Sequence, residues 1–169
     1  LKIGQRLYSQ NCSQCHGSDA RGQRGFPNLT DDDWLYGGSP EKITETLING
    51  RKAMMPAQLV AHGEDGIEEL VAYVLSLSNR PNLEQTMVDA GQARFAICSA
   101  CHGQDGKGNQ LIGAPNLTDQ IWLYGGTDKS ITETLRYGRN GVMPAFKTTL
   151  GEKKIHLVSA YVYSLSQDK

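Results

Sequence analysis

Two short segments of the chain place two cysteines three residues apart, with a histidine directly after the second cysteine. The first segment reads CSQCHG, from Cys12 to Gly17, and the second reads CSACHG, from Cys98 to Gly103. Thiols and an imidazole at this spacing can hold zinc, form a redox dithiol or a disulfide, or attach a haem covalently. These four kinds of chemistry need different partners elsewhere in the chain.

Covalent haem attachment accounts best for both motifs. A structural zinc ion needs four ligands, and the other two histidines, His62 and His156, do not lie at equivalent distances from the two motifs. A thioredoxin-like dithiol follows a strand and does not need the trailing histidine, which a disulfide also leaves unexplained. On a helical turn, residues i and i+3 share a face, so both thiols can reach one edge of a porphyrin while the histidine binds iron. The motifs at Cys12, Cys15 and His16 and at Cys98, Cys101 and His102 therefore predict two c-type haems.

One Met-Pro pair follows each motif and can supply the sixth ligand of the iron. Met55 lies 39 residues after His16 and Met143 lies 41 residues after His102, and each methionine comes four residues after an arginine. Ligation by His and Met is typical of electron-transfer haems. We therefore expect His16 to pair with Met55, and His102 with Met143. The proline after each methionine would stiffen the loop that presents the sulfur.

The segments that must position these residues occur twice in the chain, as an internal sequence repeat. PNLTDDDWLYGGS, which starts at Pro27, returns 88 residues later as PNLTDQIWLYGGT, which starts at Pro115. The two cysteine motifs are 86 residues apart, so the second copy has two extra residues in the loop before Pro115. The repeat predicts two homologous domains, at residues 1–80 and 85–169, joined by a polar stretch that contains Pro81.

Helical periodicity dominates both copies. Apolar residues recur on one helical face near the end of each copy, at Ile67, Leu70, Val71 and Val74 and at Ile155, Val158 and Val162. Ser39 and Pro40 form a helix start, and Asn49-Gly50 is typical of a helix end. No segment alternates convincingly with a period of two. The sequence predicts an all-α fold with little or no sheet.

Composition excludes other classes of protein. The chain has 17 basic and 18 acidic residues and no basic stripe, which argues against nucleic-acid binding. Divided at Glu84, the first half has 8 basic and 11 acidic residues and the second has 9 and 7, so the halves carry −3 and +2. No segment approaches the ~20 apolar residues that cross a bilayer. Because the chain starts at Leu1 rather than at methionine, we expect it to be a mature product or an excised fragment.

Together these features resemble tandem class I cytochrome c domains over essentially the whole chain. A glycine and an aromatic residue precede each motif, as in that family: Gly4 and Tyr8, and Gly91 and Phe95. The resemblance implies that each domain wraps one haem. It also implies that the backbone carbonyls of Pro27 and Pro115 accept the Nδ1 protons of the two motif histidines, which orients the rings.

Six further residues are candidates for contacts with the haem propionates: Trp34, Tyr36, Trp122, Tyr124, Arg51 and Arg139. Amphipathic aromatic side chains can hydrogen-bond the edge of a cofactor, or can simply pack around a porphyrin. The arginines can pair with carboxylates through their forked donors, or can lie on a solvated surface.

The phrases PNLTDDDWLYGG, GRNGVMPA and AYVYSLS are similar to the periplasmic part of the di-haem subunit of cbb3-type cytochrome c oxidases. This resemblance implies that the chain takes electrons from a soluble donor cytochrome c and relays them to the mono-haem and catalytic subunits. Its location would be the periplasmic side of the bacterial inner membrane, and the membrane anchor that this family's subunit carries would lie upstream. Filled axial positions leave no place for a substrate, so we expect no catalytic residue in this chain. A freely diffusing di-haem carrier resembling cytochrome c-four is the first alternative. A di-haem peroxidase is the second, and two matched Met loops oppose it.

Overall fold

The structure is a computed structural model that describes residues 1–167, and within that range it has eight helices and two short strands. In chain order these are α1 (Lys2–Asn11), α2 (Ser13–His16), α3 (Pro40–Asn49), β1 (Arg51–Met55), α4 (Leu59–Leu77), α5 (Gln85–Arg94), α6 (Ser99–His102), α7 (Asp128–Tyr137), β2 (Arg139–Met143) and α8 (Lys147–Leu165). The helix-rich architecture expected from the periodicity is confirmed. No helix in the described range is both long and apolar enough to cross a membrane.

Local capping chemistry fixes the start of the helix before each Met loop. The Ser39 hydroxyl accepts a hydrogen bond from the Lys42 backbone N–H at 3.3 Å at the start of α3. Thr127 does the same for the Ser130 N–H at 3.2 Å at the start of α7. Such caps satisfy backbone donors that have no partner within the helix. Each helix is then followed by a glycine, and a strand begins at the next residue.

The two strands are an addition to the all-α fold that the sequence predicted. β1 and β2 are hydrogen-bonded to each other in a two-stranded sheet. Gly50, before β1, lies against the Met143 carbonyl at the end of β2, and Gly138, before β2, lies against the Met55 carbonyl. The strands are therefore antiparallel. Both glycines have positive φ, 69° and 70°, and a Cβ at either would collide with backbone. The five-residue segments RKAMM and RNGVM do not alternate regularly between apolar and polar residues, so periodicity does not predict these strands.

The described chain divides into two compact units that differ from the sequential domains 1–80 and 85–169. Unit 1 comprises residues 1–52 and the segment that begins at Gly141, and unit 2 comprises Ala53–Asn140. In unit 1, α1 and α3 pack against α8, and in unit 2, α5 and α7 pack against α4. Each unit therefore joins the first part of one copy to the closing helix of the other copy.

The exchange of closing helices has a physical reason in the repeat itself. α4 buries Ile67, Leu70 and Val74 at the positions where α8 buries Ile155, Val158 and Val162. Because these faces are nearly identical, the opening helix of either copy can accept either closing helix. The short connection between α4 and α5 favours their packing against each other.

Glycines allow the close crossing of opening and closing helices in both units. A Cβ at Gly4 would collide with the Leu157 carbonyl of α8, and a Cβ at Gly91 would collide with the Glu69 carbonyl of α4. The neighbouring aromatic residues complete the contact. The Tyr8 and Tyr161 ring centroids lie 5.6 Å apart in unit 1, and a tyrosine of α4 packs against Phe95 in unit 2.

Candidate functional site

The cysteine motif of each unit forms a one-turn helix after the opening helix, with one residue between α1 and α2 and four residues between α5 and α6. In unit 1 the Cys15 and His16 backbone N–H groups donate to the Cys12 carbonyl, at 3.1 and 2.9 Å. In unit 2 the same two bonds to the Cys98 carbonyl have the same lengths. This turn places the two cysteines of a motif on one face. All four cysteines are free thiols, with Cys12 buried and Cys101 exposed.

Each motif histidine is buried and held by a backbone carbonyl. His16 Nδ1 lies 2.9 Å from the Pro27 oxygen, and His102 Nδ1 lies 3.1 Å from the Pro115 oxygen. Because a carbonyl can only accept, Nδ1 carries the proton in the neutral ring and Nε2 keeps its lone pair. Burial lowers the pKa of both imidazoles below the usual 6.5, while the bond to the proline carbonyl opposes that shift. A neutral ring with a free Nε2 lone pair is the form that binds a metal.

The Met loops lie in the opposite units from those that the sequence spacing indicated. Met143 packs against the core cluster that contains Cys12, and Met55 and Cys98 both pack against the second core cluster. The strands turn both side chains inward, because the preceding residues, Met54 and Val142, are exposed at 78% and 60%. The structure thus brings Met143 into the unit of His16. Met55 lies in the unit of His102.

An arginine and a tyrosine form a matched pair in each unit. The Arg51 guanidinium lies over the Tyr36 ring at 4.5 Å from its centroid, and Arg139 lies over Tyr124 at 4.4 Å. Arg51 also donates from Nε to Thr46 and from Nη1 to Glu45. Arg139 repeats these two bonds with Thr134 and Glu133. Each guanidinium is therefore fixed in position by side chains of α3 or α7.

Beside these pairs lie buried polar atoms that have no hydrogen-bond partner within residues 1–167. In unit 1 they are Arg51 Nη2 and Tyr36 Oη, and in unit 2 they are Arg139 Nη2 and Trp122 Nε1. Leaving a buried donor unsatisfied costs about 1–3 kcal/mol. Burial also raises the pKa of the Tyr36 hydroxyl, which keeps it protonated and able to donate. Donors of this kind suit carboxylate oxygens.

The remaining aromatic candidate, Trp34, packs against the core of unit 1, and its counterpart Trp122 packs against the core of unit 2. Sequence reasoning missed the hydrogen bond that the buried Tyr8 hydroxyl donates to the Gly17 carbonyl at 2.7 Å. This bond fastens the end of α2 directly after His16. Phe95, at the equivalent place in unit 2, has no hydroxyl to make it. The Nε2 atom of His62 is buried and has no hydrogen-bond partner among residues 1–167.

The residues present fit a covalently attached haem in each unit. Two thiols on one helical face, a neutral imidazole with a free Nε2, an inward thioether and spare donors for carboxylates are the groups that such a cofactor needs. Burial raises the pKa of the Cys12 thiol to about 11, with the neighbouring Cys15 adding to the shift. The pKa of Cys98 is raised by burial as well. Both thiols are therefore protonated at neutral pH.

Comparison with protein families gives two matches to one family model, described as cytochrome c oxidase, cbb3-type, subunit III. The matches cover residues 1–74 and 86–162. They coincide with the two copies of the sequence repeat, as expected for tandem cytochrome c domains. Together they cover most of the chain.

Curated relatives agree with this match along nearly the whole chain. The cbb3-type cytochrome c oxidase subunit CcoP of Rubrivivax gelatinosus is 48% identical over 168 residues, which is 99% of this chain and 55% of that protein. The subunit FixP of Bradyrhizobium sp. (strain ORS 278) is 45% identical over 177 residues, covering 98% of this chain and 61% of that protein. CcoP of Cereibacter sphaeroides is 42% identical, with 96% and 60% covered. The chain thus spans little more than half the length of these relatives.

Proposed function

The chain belongs to the family of cbb3-type cytochrome c oxidase subunit III, and from this premise we propose that it is a di-haem electron-transfer module of such an oxidase. It takes electrons from a soluble donor cytochrome c on the periplasmic side of the bacterial inner membrane. It passes them to the mono-haem and catalytic subunits and holds no catalytic site itself. The observation that carries this proposal is the presence of the same set of cofactor-binding groups in both units.

The ligands of each haem come from both copies of the repeat. We propose that the haem of unit 1 is attached to Cys12 and Cys15 and ligated by His16 and Met143. The haem of unit 2 is attached to Cys98 and Cys101 and ligated by His102 and Met55. The support for this pairing is the packing of each methionine in the core of that unit.

The spare donors of each unit bind the haem propionates. Tyr36 and Arg51 serve unit 1, and Trp122, Tyr124 and Arg139 serve unit 2. The support is that Tyr36, Arg51, Trp122 and Arg139 carry buried N–H or O–H groups with no partner among residues 1–167. Tyr124 is included because its ring packs against the Arg139 guanidinium. Trp34, which lies against the apolar core of unit 1, packs around the haem.

When bound, each haem supplies a one-electron couple between ferric and ferrous iron. The protein residues set the conditions for that couple. The proline carbonyls fix the orientation of the imidazoles and raise their basicity. The methionine sulfur raises the reduction potential. The arginine beside each propionate pair offsets negative charge that would otherwise favour the ferric state.

Both units offer a methionine, which favours electron transfer over a peroxidase with an open haem. The experiment is to mature the chain in a host that attaches c-type haem, count the haems, and follow reduction by a soluble cytochrome c. We expect two covalent haems, both six-coordinate and low-spin, and no turnover of hydrogen peroxide. Next, the family's catalytic subunits should consume oxygen with soluble cytochrome c only when this chain is present. One haem per chain, or peroxide turnover, would contradict the proposal.

A further inference from the structure

The exchange of closing helices reverses the charge difference between the two halves of the molecule. Counted along the sequence, the first half is negative and the second positive. Counted by compact unit, unit 1 has 11 basic and 8 acidic residues, a net charge of +3, and unit 2 has 6 and 10, a net charge of −4. The cause is that unit 2 receives α4, with its sequence GEDGIEEL, whereas unit 1 receives α8, with GEKKIHLV.

Part of the acidic charge of α4 is free to act on a partner. Glu64 and Glu69 form ion pairs with Arg136 and Arg94 of the same unit. Asp65 and Glu68 are exposed on the same helix and have no ion pair among residues 1–167. The field of unit 2 therefore attracts cations, and its strength falls with ionic strength.

At four positions, unit 2 exposes an apolar side chain and the equivalent position of unit 1 holds a polar or charged residue. Four large apolar residues of unit 2 range from 42% exposed at Ile121 to fully exposed at Val60, with Ile97 and Tyr137 between them. The equivalent positions of unit 1 hold polar or charged residues, which are Asp33, Thr148, Asn11 and Asn49. Two more exposed apolar residues, Leu111 and Ile112, lie in the loop that the second copy lengthens by two residues.

These apolar residues flank the segments that hold the proposed haem of unit 2. Ile97 directly precedes Cys98, Ile121 directly precedes Trp122, and Leu111 lies in the loop between His102 and Pro115. Cys101, one of the two attachment points, is itself exposed. The surface around Cys101, where this haem would be attached, is therefore open to a partner protein.

We infer that unit 2, and not unit 1, is the docking surface for a small, basic electron-transfer protein whose contact patch is apolar and ringed by lysines. This inference rests on the proposed function. Apolar groups at the centre of an interface supply binding energy when they lose water, and opposite charge around them accelerates encounter. A membrane surface rich in anionic lipid does not fit, because unit 2 is negative.

The test measures reduction of the di-haem protein by a reduced, basic cytochrome c of the mitochondrial type, in stopped flow over a range of ionic strengths. The charge variant is Asp65→Lys with Glu68→Lys. The apolar variant is Ile97→Asn with Leu111→Asn. The matched control on unit 1 is Lys153→Asp with Lys154→Asp on α8, together with Ile3→Asn on α1; these residues are all exposed and outside the proposed haem sites.

The two variants on unit 2 should fail in different ways. The charge variant should lower the second-order rate about tenfold at low salt and flatten its dependence on ionic strength. The apolar variant should weaken binding about tenfold while the dependence on ionic strength persists. The control on unit 1 should change neither quantity by more than about twofold. The inference would be overturned if the control lost as much of the second-order rate as the unit 2 variants, or if the rate for the parent protein did not depend on ionic strength.

Two further measurements separate this inference from its competitors. Ascorbate with a small mediator should reduce both haems in every variant; if it fails in the parent protein, the proposed function falls together with the docking surface. Because unit 1 of a second copy is also basic, self-association through unit 2 must be tested, and sedimentation should show a monomer at working concentration. A dimer that the charge variant abolishes, with cytochrome c reduction unchanged, would identify a second copy as the occupant and overturn the inference.

Discussion

The assignment of Met143 to the haem of unit 1 can be tested by leaving only one haem in the protein. Replacing Cys12 and Cys15 by alanine removes the attachment of the unit 1 haem and leaves the haem at Cys98 and Cys101. In that background, Met55→Ala should change the remaining haem and Met143→Ala should not. The sequence spacing alone, which pairs Met143 with His102, predicts the opposite result.

The size of the effect follows from the ligand that is lost. Axial ligands move haem potentials over a range of about 0.8 V, so loss of the methionine should lower the potential by on the order of 100 mV. At about 59 mV per 1.4 kcal/mol for one electron, this corresponds to about 2 kcal/mol of lost preference for ferrous iron. Met55 is only partly buried, so we expect its truncation to cost about 1–2 kcal/mol of folding stability, at the low end for core methionines.

The assay combines a spectroelectrochemical titration with carbon monoxide binding to the ferrous protein. Met55→Ala in the single-haem background should lower the potential and open the iron to carbon monoxide. The reciprocal background, with Cys98→Ala and Cys101→Ala, provides the matched control, because there Met143→Ala should act and Met55→Ala should not. The pairing inferred from the compact units is refuted if Met143→Ala changes the potential or the carbon monoxide binding of the haem at Cys98 and Cys101.

Three other predictions follow from the described contacts. In the haem-free, reduced chain, iodoacetamide should label the exposed Cys101 first and Cys12 last, because Cys12 is buried and its pKa is raised to about 11; mass spectrometry of peptides gives the order, which should disappear in denaturant. In the folded haem-free chain, burial lowers the pKa of both motif imidazoles below 6.5, so below that pH the unfolded chain binds protons that the folded chain does not. The free energy of unfolding, measured in urea, should therefore fall as the pH drops below about 6.5. Imidazoles bound to iron should remove this dependence. Gly91→Val should destabilise unit 2 by about 1–3 kcal/mol through collision with the Glu69 carbonyl, and Gln92→Ala on the exposed side of the same helix should leave the melting temperature nearly unchanged.

The chemistry of the site could be predicted from the sequence because it depends on short, local spacings. Cys12, Cys15 and His16 fall on one helical turn by their positions alone. The helix start at Ser39 and the glycine after α3 follow from side-chain and backbone preferences within a few residues. The two matches of the family model coincide with the repeat that the sequence displays.

The pairing of the two copies could not be predicted, because the repeat makes competing partners equivalent. Ile67 and Ile155 are both fully buried, each at the same place on a closing helix. Periodicity identifies such a buried face but does not say which opening helix covers it. The short strands could not be predicted either, because their pairing depends on segments that lie 88 residues apart in the sequence. The net charge of each unit could not be predicted for the same reason, because its sign depends on whether the unit contains α4 or α8.

The sequence by itself determined that the chain is helix-rich and that it is a duplicated member of its family. It also predicted which residues would hold two haems. Only the tertiary structure decided which methionine shares a core with which histidine and which unit carries the negative charge. The reason is that attachment motifs, caps and helix faces are local properties. The choice between two equivalent closing helices is set by packing across the whole chain.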